Sequence, residues 1–215
     1  MSPTRNRWPA AVALGLFTAV AAGAAVDGPQ LRALVAAQDH AAIKALGPAV
    51  LPQLADLYSH TTDVAGRRDI AQVLYVLGEK SPAAEKALLA DLHSPDKSLR
   101  IQVQYTLGRV SDDERVVQLL LDSMRHGETM LIRDKAACAL AYDQIHLGER
   151  QKVKLFAGLI QALDDDKRDV RAIARQALQI HTGQDKGYDP DAPPEQRRAA
   201  ITEWQRWLLE YRANL

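Results

Sequence analysis

The chain has few of the residues that build disulfide-stabilised or aromatic-rich folds. It contains a single cysteine, Cys138, and aromatic residues make up only 5% of its 215 residues. One cysteine cannot form an internal disulfide, so the fold must be stabilised by packing alone. The low aromatic content is unusual for the core of a β-sandwich or barrel and is typical of helices that pack through leucine and alanine.

The chain also lacks net charge, because 27 basic residues balance 27 acidic ones. Nucleic-acid-binding proteins carry a basic surface stripe, so this balance argues against DNA or RNA as a partner. The motifs G-x-S-x-G, H-E-x-x-H, G-x-x-x-x-G-K-[ST] and G-x-G-x-x-G are absent as well. We therefore expect a protein that is not an enzyme and that has no catalytic residue, metal ion or cofactor.

Residues 1–24 predict a secretory signal peptide whose cleavage site lies near residue 24 and no later than residue 26. Arg5 and Arg7 precede an uncharged stretch from residue 9 to residue 26, and small residues at 22–25 match the A-x-A cleavage pattern. An uncleaved membrane anchor is the alternative, since the uncharged stretch is nearly long enough to span a bilayer. We expect cleavage, export to the periplasm or secretion, and no membrane insertion of the mature chain.

A pattern of two helices occurs four times along the chain. In each copy an arginine precedes apolar or small residues at positions +3, +4, +6 and +7, a spacing that places them on one helix face. The arginines follow one another from 67 to 100, from 100 to 133 and from 133 to 171, which gives steps of 33, 33 and 38 residues. A single helix pair cannot bury both of its apolar faces, so the pairs must stack. The repeat arginines are Arg67, Arg100, Arg133 and Arg171.

This pattern resembles the HEAT repeat, the antiparallel helix pair of α-solenoids. The resemblance rests on residues 159–178 (LIQALDDDKRDVRAIARQAL), 90–100 (ADLHSPDKSLR) and 45–57 (ALGPAVLPQLADL). It implies an all-α fold, a right-handed α-solenoid of about four helix pairs over residues 27–183. The first repeat departs from the pattern, because Gly66 stands where the later repeats have Leu99, Ile132 and Val170.

Residues 184–215 predict a proline-rich loop and a C-terminal capping helix. The segment TGQDKGYDP at 182–190 and the tryptophans that follow resemble the tail of many secreted bacterial HEAT-repeat proteins. The helix after Pro194 places apolar residues at spacings of 3, 4 and 3, which predicts that it covers the last repeat. The apolar positions are Ile201, Trp204, Leu208 and Tyr211, and the positions expected in solvent are Arg198, Glu203 and Arg206.

Two clusters of titratable residues admit a structural and a functional interpretation. Asp185, Asp189 and Asp191 are explained by Asx turns, whereas calcium binding is disfavoured because Gln196 stands where an EF-hand needs a bidentate carboxylate. A histidine also lies seven residues before each of the first three repeat arginines, at the expected end of the first helix. The row can be structural or can form a pH-responsive edge. Its members are His60, His93 and His126.

The repeat arginines are predicted to be structural, with the charged end of each reaching acids or backbone carbonyls of the turn at the start of its own second helix. The expected partners are Asp63, Asp96 and Asp169, and Thr129 leaves the third repeat without an acid. Glycines predict helix ends at Gly78, Gly108 and Gly127.

HEAT arrays serve as scaffolds, receptors and occasionally enzymes, so the resemblance limits the function only broadly. It implies a non-catalytic scaffold of the cell envelope that binds a protein or peptide. The alternatives are a structural or self-assembling envelope protein and, less consistent with export and neutral charge, an enzyme resembling the bilin lyases or DNA glycosylases of this fold. In HEAT proteins the second helix lines the concave face, which gives as groove candidates Arg68, Gln72, Tyr105, Asp134, Cys138 and Gln176.

Overall fold

A computed structural model describes residues 26–215, and the predicted signal peptide of residues 1–24 lies outside the described residues. Residues 26–215 form eleven α-helices and no strand, which confirms the prediction of an all-α protein. No helix in this range is long and apolar enough to cross a membrane. The helices are α1 (Gly28–Ala36), α2 (His40–Ala45), α3 (Val50–His60), α4 (Val64–Leu77), α5 (Pro82–Leu89), α6 (Lys97–Val110), α7 (Glu114–His126), α8 (Met130–Tyr142), α9 (Glu149–Ala162), α10 (Arg168–Thr182) and α11 (Pro194–Ala213).

Four pairs of consecutive helices account for most of the chain. Helix α3 packs on α4, α5 on α6, α7 on α8 and α9 on α10. The second helices of the pairs also pack in series, α4 on α6, α6 on α8 and α8 on α10. Each of these four helices carries one repeat arginine near its start, so the sequence steps of 33, 33 and 38 residues correspond to steps from one pair to the next.

Most helices begin at a residue whose side chain accepts a hydrogen bond from the first turn of the helix. Asp63 accepts a hydrogen bond from the amide N–H of Gly66 at 2.7 Å, and Asp96 accepts one from Leu99 at 2.8 Å. Such caps satisfy amide groups that have no partner inside the helix. The other side-chain caps of this kind are Asp27, Asp39, Ser81, Asp113 and Thr129.

Two helix ends differ from the predicted positions. Helix α6 continues to Val110, so Gly108 lies inside the helix rather than at its end. A Cβ at Gly108 would lie 3.0 Å from the Cβ of Asp143 and 3.2 Å from the carbonyl oxygen of Ala139, which explains why glycine stands where α6 meets the end of α8. Helix α5 ends at Leu89, so His93 lies in the following turn and not at a helix end.

Both ends of the described chain are covered by additional helices. Helices α1 and α2 pack on α4 and bury Leu31, Val35 and Ile43. Helix α11 packs on α9 and buries Ile201 and Trp204. The three polar residues of α11 that were expected in solvent, Arg198, Glu203 and Arg206, are exposed.

An aromatic cluster joins α11 to α9. The ring of Trp207 lies 5.2 Å from that of Phe156 in an edge-on arrangement and stacks on Tyr211 at 5.4 Å, measured between ring centroids. The hydroxyl of Tyr211 also donates a hydrogen bond to Glu149 at 2.5 Å. Edge-on and offset contacts of this kind stabilise a helix interface beyond the burial of area alone.

The repeat arginines connect each helix pair to the next. The prediction that Arg67 and Arg100 pair with Asp63 and Asp96 is wrong, whereas the expected bonds to turn carbonyls are present for Arg67, Arg133 and Arg171. These two aspartates cap their own helices, as described above. Arg67 instead reaches Asp91 of the next pair at 3.0 Å and donates from Nε to the carbonyl of Thr61 in its own turn at 2.6 Å. Arg100 likewise pairs with Glu128 of the following turn.

The third and fourth arginines follow the same rule. Arg133, expected to have no acidic partner, bonds from Nε to Asp169 of the next pair at 2.9 Å and from Nη1 to the carbonyl of Gly127 at 2.8 Å. Arg171 bonds to carbonyls rather than to Asp169: Pro190 in the tail accepts from Nη2 at 2.9 Å. Each arginine therefore links its own pair to the segment that follows it in the chain.

Candidate functional site

One side of the second helices carries residues that are half-buried or exposed, and we call it the even-helix face. It contains the residues five and nine positions after each repeat arginine on α4, α6, α8 and α10, because a spacing of four keeps side chains on one side of a helix. The +5 residues are Gln72, Tyr105, Cys138 and Gln176, and the +9 residues are Val76, Arg109, Tyr142 and Ile180.

Three of the predicted groove residues come together on α8 and α10. Asp134, Cys138 and Gln176 line one shallow depression of about 40 Å³, together with Tyr142 and Ile180. Tyr105 of α6 lies next to Cys138, close enough for the two groups to influence each other's ionisation. The depression is too small to enclose a ligand of ordinary size, so it is a feature of an open surface.

The other two predicted groove residues lie at the α4 end of the face. Gln72 is half-buried, and Arg68 is exposed near the start of α4, with its nearest acidic partner, Asp69, at 3.9 Å. Neither residue lines the depression formed by α8 and α10.

An aromatic and charged group occupies the centre of the even-helix face. The rings of Tyr75 and Tyr105 meet edge-on with their centroids 6.2 Å apart. The guanidinium carbon of Arg109 lies 4.7 Å above the ring of Tyr75, and its Nη1 atom lies 3.4 Å from the carboxylate of Asp143. The group joins three successive helix pairs and gives the surface an aromatic centre with one cation and one acid.

Large apolar side chains are exposed around this centre. Tyr142 is 59% exposed, Ile145 in the turn after α8 is 50% exposed and Val76 is 43% exposed. Sequence reasoning selected the +5 residues and missed the +9 residues, although the spacing of four from +5 to +9 was sufficient to find them. Exposed apolar residues that cluster on one surface mark an interaction site more strongly than scattered ones.

Burial shifts the pKa of two groups on the face, Cys138 and Asp143, toward their neutral forms. Burial, with a further contribution from the charge of Asp134, raises the pKa of the Cys138 thiol. A raised pKa leaves less thiolate at neutral pH and makes the sulphur a poorer nucleophile. Burial also raises the pKa of Asp143, although Tyr75 and Arg109 oppose this effect.

The histidine row is divided between two pockets. His93 and His126 both line one pocket between the second and third helix pairs. His60 lines a different pocket next to α1, and its Nδ1 atom lies 2.9 Å from the carbonyl oxygen of Asp56. Within residues 26–215 no group of three His, Cys, Asp or Glu residues is arranged to hold a metal ion.

The aspartates of the C-terminal loop form Asx turns and an ion pair. Asp185 accepts a hydrogen bond from the N–H of Gly187 at 2.9 Å, and Asp189 accepts one from the N–H of Asp191 at 2.9 Å. Asp191 itself receives a bond from Nε of Arg168 at 2.8 Å. These contacts agree with the structural interpretation of the three residues.

Comparison with known proteins gives no family for this chain: no protein-family model matches it, and no curated protein is significantly similar to it.

Proposed function

We propose that the chain is a HEAT-like α-solenoid that is exported to the periplasm or secreted and binds a protein or peptide partner on the even-helix face without catalysing a reaction. The observation that carries the proposal is the exposure of Tyr142, Ile145 and Val76 around the rings of Tyr75 and Tyr105. Tyrosines and aliphatic residues on a rigid helical surface supply contact area at a low entropic cost.

The solenoid arrangement is supported by the order of the helix contacts. Each pair packs on its neighbours in the chain, and α4, α6, α8 and α10 pack in series. In a solenoid the repeated helices on one side form an extended binding surface. The even-helix face would be that surface.

The charges on the face limit the chemistry of the partner. Arg109 and Asp143 are paired with each other, and Lys135 lies 3.0 Å from Asp134, so the face presents no excess of either sign. A partner that docks here is recognised by apolar and aromatic groups with a polar rim. A strongly charged polymer is a poor fit, which agrees with the balanced composition of the chain.

A structural, self-assembling role is the second candidate, favoured by Leu209, which is 68% exposed on α11. Assembly of repeat proteins end to end requires apolar surface at both ends of the stack. The N-terminal end is covered by α1 and α2, which bury Leu31, Val35 and Ile43. The binding role therefore has the stronger support.

The test compares two surface variants of the full-length chain, expressed with an affinity tag in its native cells. The chain is crosslinked in place, recovered from the envelope fraction and analysed by mass spectrometry, with the N-terminal residue sequenced to detect cleavage near residue 24. We expect a protein partner that is lost in the double variant Tyr142→Ser with Ile180→Ser and retained in the control Leu209→Ser. Partner loss in Leu209→Ser alone, or identical crosslinks to a second copy in all three proteins, would contradict the proposal.

A further inference from the structure

A cleft lies where the capping helix α11 meets the third and fourth helix pairs. It is formed by the start of α7, one side of α9 and the end of α11, and it shares no residue with the even-helix face. Its volume of about 530 Å³ is within the range of sites that bind small molecules. We call it the basic cleft. The residues that carry the argument are Glu114, Arg150, Val153, Lys154, Ala157 and Arg212.

Three cationic side chains from two helices line the basic cleft. Arg150 and Lys154 are four residues apart and therefore lie on the same side of α9. Arg212 lines the same cleft from the last turn of α11. The preceding residue fixes its place, because the hydroxyl of Tyr211 donates to the carboxylate of Glu149, next to Arg150, at 2.5 Å. Two guanidinium groups and one ammonium group thus face one cavity.

The three cations form no ion pair within residues 26–215. The adjacent acid Glu149 is engaged by Lys152 at 2.6 Å. Glu114 and Leu215 also line the cleft, but neither the Glu114 side chain nor the terminal carboxylate pairs with any of the three. The repeat arginines, in contrast, all have partners inside the protein. A cleft lined by unpaired charges of one sign raises the local concentration of counter-ions, here anions.

The remaining wall of the basic cleft is apolar. Residues 150, 153, 154 and 157 follow the spacing of a single helix face, so Val153 and Ala157 lie beside the two cations of α9. Val153 is half-buried and Ala157 is exposed. An inorganic phosphate or sulphate ion would occupy only a small part of the cleft. A ligand that fills it therefore combines an anionic group with an organic group.

The number of cations favours a phosphate group over a carboxylate. A carboxylate has two oxygens, and a single guanidinium group can bind both of them. A phosphate group attached through one oxygen has three terminal oxygens and carries nearly two negative charges at neutral pH. Two guanidinium forks and one ammonium group from different directions can contact all three oxygens.

We infer that the basic cleft binds a phosphomonoester. Arg150, Lys154 and Arg212 hold the phosphate group, and the organic group packs on Val153 and Ala157. The inference does not depend on the proposed function of the even-helix face, because the two surfaces have no residue in common.

The test is NMR titration of the full chain with phenyl phosphate. We expect saturable shifts of the backbone amide signals of Val153 and Ala157. Arg212→Gln should bind about tenfold more weakly, because one charge-assisted hydrogen bond is lost. The control Arg198→Gln removes the same charge from an exposed position of the same helix and should bind like the wild type. Phenyl sulphate, which has a similar shape and one charge fewer, should bind more weakly than phenyl phosphate.

The variants also separate loss of the site from loss of the fold. Arg150→Gln and Lys154→Gln should weaken binding as Arg212→Gln does, while all three keep the melting temperature of the wild type, since the cations have no partner in the fold to lose. No saturable shift in the wild type, or an equal loss of affinity in Arg198→Gln, would overturn the inference. Equal affinity for phenyl sulphate and phenyl phosphate would show that the cleft does not recognise a phosphate group.

A further measurement distinguishes a soluble phosphomonoester from a lipid headgroup. The chain is sedimented with phosphatidylcholine vesicles that contain or lack phosphatidic acid, a lipid phosphomonoester. We expect no cosedimentation with either, because the exposed acids Glu114 and Glu210 repel an anionic surface. Cosedimentation that requires phosphatidic acid and is lost in Arg212→Gln would overturn the assignment to a soluble ligand and identify a lipid as the source of the phosphate group.

Discussion

Arg171 is expected to be the most important of the repeat arginines for stability, because it ties the C-terminal tail to the last helix pair. It is only 9% exposed. Its Nη1 atom donates to the carbonyls of Asp165 at 2.9 Å and Asp166 at 3.0 Å, and its Nε and Nη2 atoms donate to the carbonyl of Pro190 at 3.1 Å and 2.9 Å. Replacing it with alanine leaves three carbonyl oxygens without this partner.

The size of the effect follows from these bonds. Hydrogen bonds to a charged group contribute ~1.5–3 kcal/mol each, but the contributions are not additive, because freed carbonyls regain contact with water. We expect Arg171→Ala to lower the free energy of unfolding by about 3 kcal/mol. For a chain of this size that corresponds to a melting temperature lower by roughly 6–12 °C. Arg171→Lys should recover less than half of the loss, since one ammonium group cannot reproduce the fork of bonds.

The matched control is Arg168→Ala, one helical turn earlier on α10. Arg168 also binds the tail, through Asp191, but its side chain is 59% exposed. Exposed ion pairs contribute little, so this variant should unfold close to the wild type in urea followed by circular dichroism. If Arg171→Ala unfolds at the same urea concentration as Arg168→Ala, the bonds of Arg171 do not hold the tail in place.

The structure also gives the direction of the change in stability for two further perturbations, a lower pH and a glycine substitution. The Nε2 atom of His181 lies 2.8 Å from the carbonyl oxygen of Leu140, and burial lowers the pKa of the imidazole. The unfolded chain therefore binds more protons than the folded one, so the free energy of unfolding should fall as the pH drops below the unfolded pKa of 6.5. Melting curves between pH 8 and pH 5 should show a smaller drop for His181→Gln; an equal drop would exclude His181 as the source. Gly108→Ala places a methyl group 3.2 Å from the carbonyl oxygen of Ala139 and should destabilise the protein by ~1–3 kcal/mol, whereas Gly28→Ala, at the exposed start of α1, should be close to neutral. Equal melting temperatures for these two glycine variants would refute the close-packing argument.

The helices were predictable because their signals are local. A stripe of apolar residues at spacings of three and four and a cap such as Asp96 lie within one or two turns of the helix they specify. The same is true of α11, whose exposed residues Arg198 and Arg206 were assigned from spacing alone. Repetition added information, since a pattern that occurs four times is not an accident of one segment.

The partners of the repeat arginines were not predictable in this way. Arg67 lies 24 residues from Asp91, and Arg133 lies 36 residues from Asp169, so each contact depends on how neighbouring pairs stack. The acids nearest in sequence, Asp63 and Asp96, are used as helix caps instead. Local spacing identifies a helix and its caps, but the contacts between pairs depend on the packing of the whole array.

The environment of Gln104 could not be predicted from its neighbours in the sequence. A glutamine on a helix is ordinary, and the matching positions of the other pairs hold Ala71, Ala137 and Arg175, so the repeat pattern accepts both small and long polar side chains there. The spacing does not show that Gln104 is fully buried and has no hydrogen-bond partner among residues 26–215. That fact requires the positions of α7 and of the turn before α8, which come from the next pair.

The distribution of the arginine bonds also accounts for which surfaces remain open to a partner. Because the repeat arginines are directed into their own turns and toward the following segment, their charges are largely paired inside the protein. A ligand approaching that edge would have to displace existing bonds, which costs the full desolvation of a charged group. The even-helix face presents Tyr142 and Ile145 with no such bonds to break. The even-helix face, which we propose as the binding surface, is thus one where docking breaks no bond of a repeat arginine.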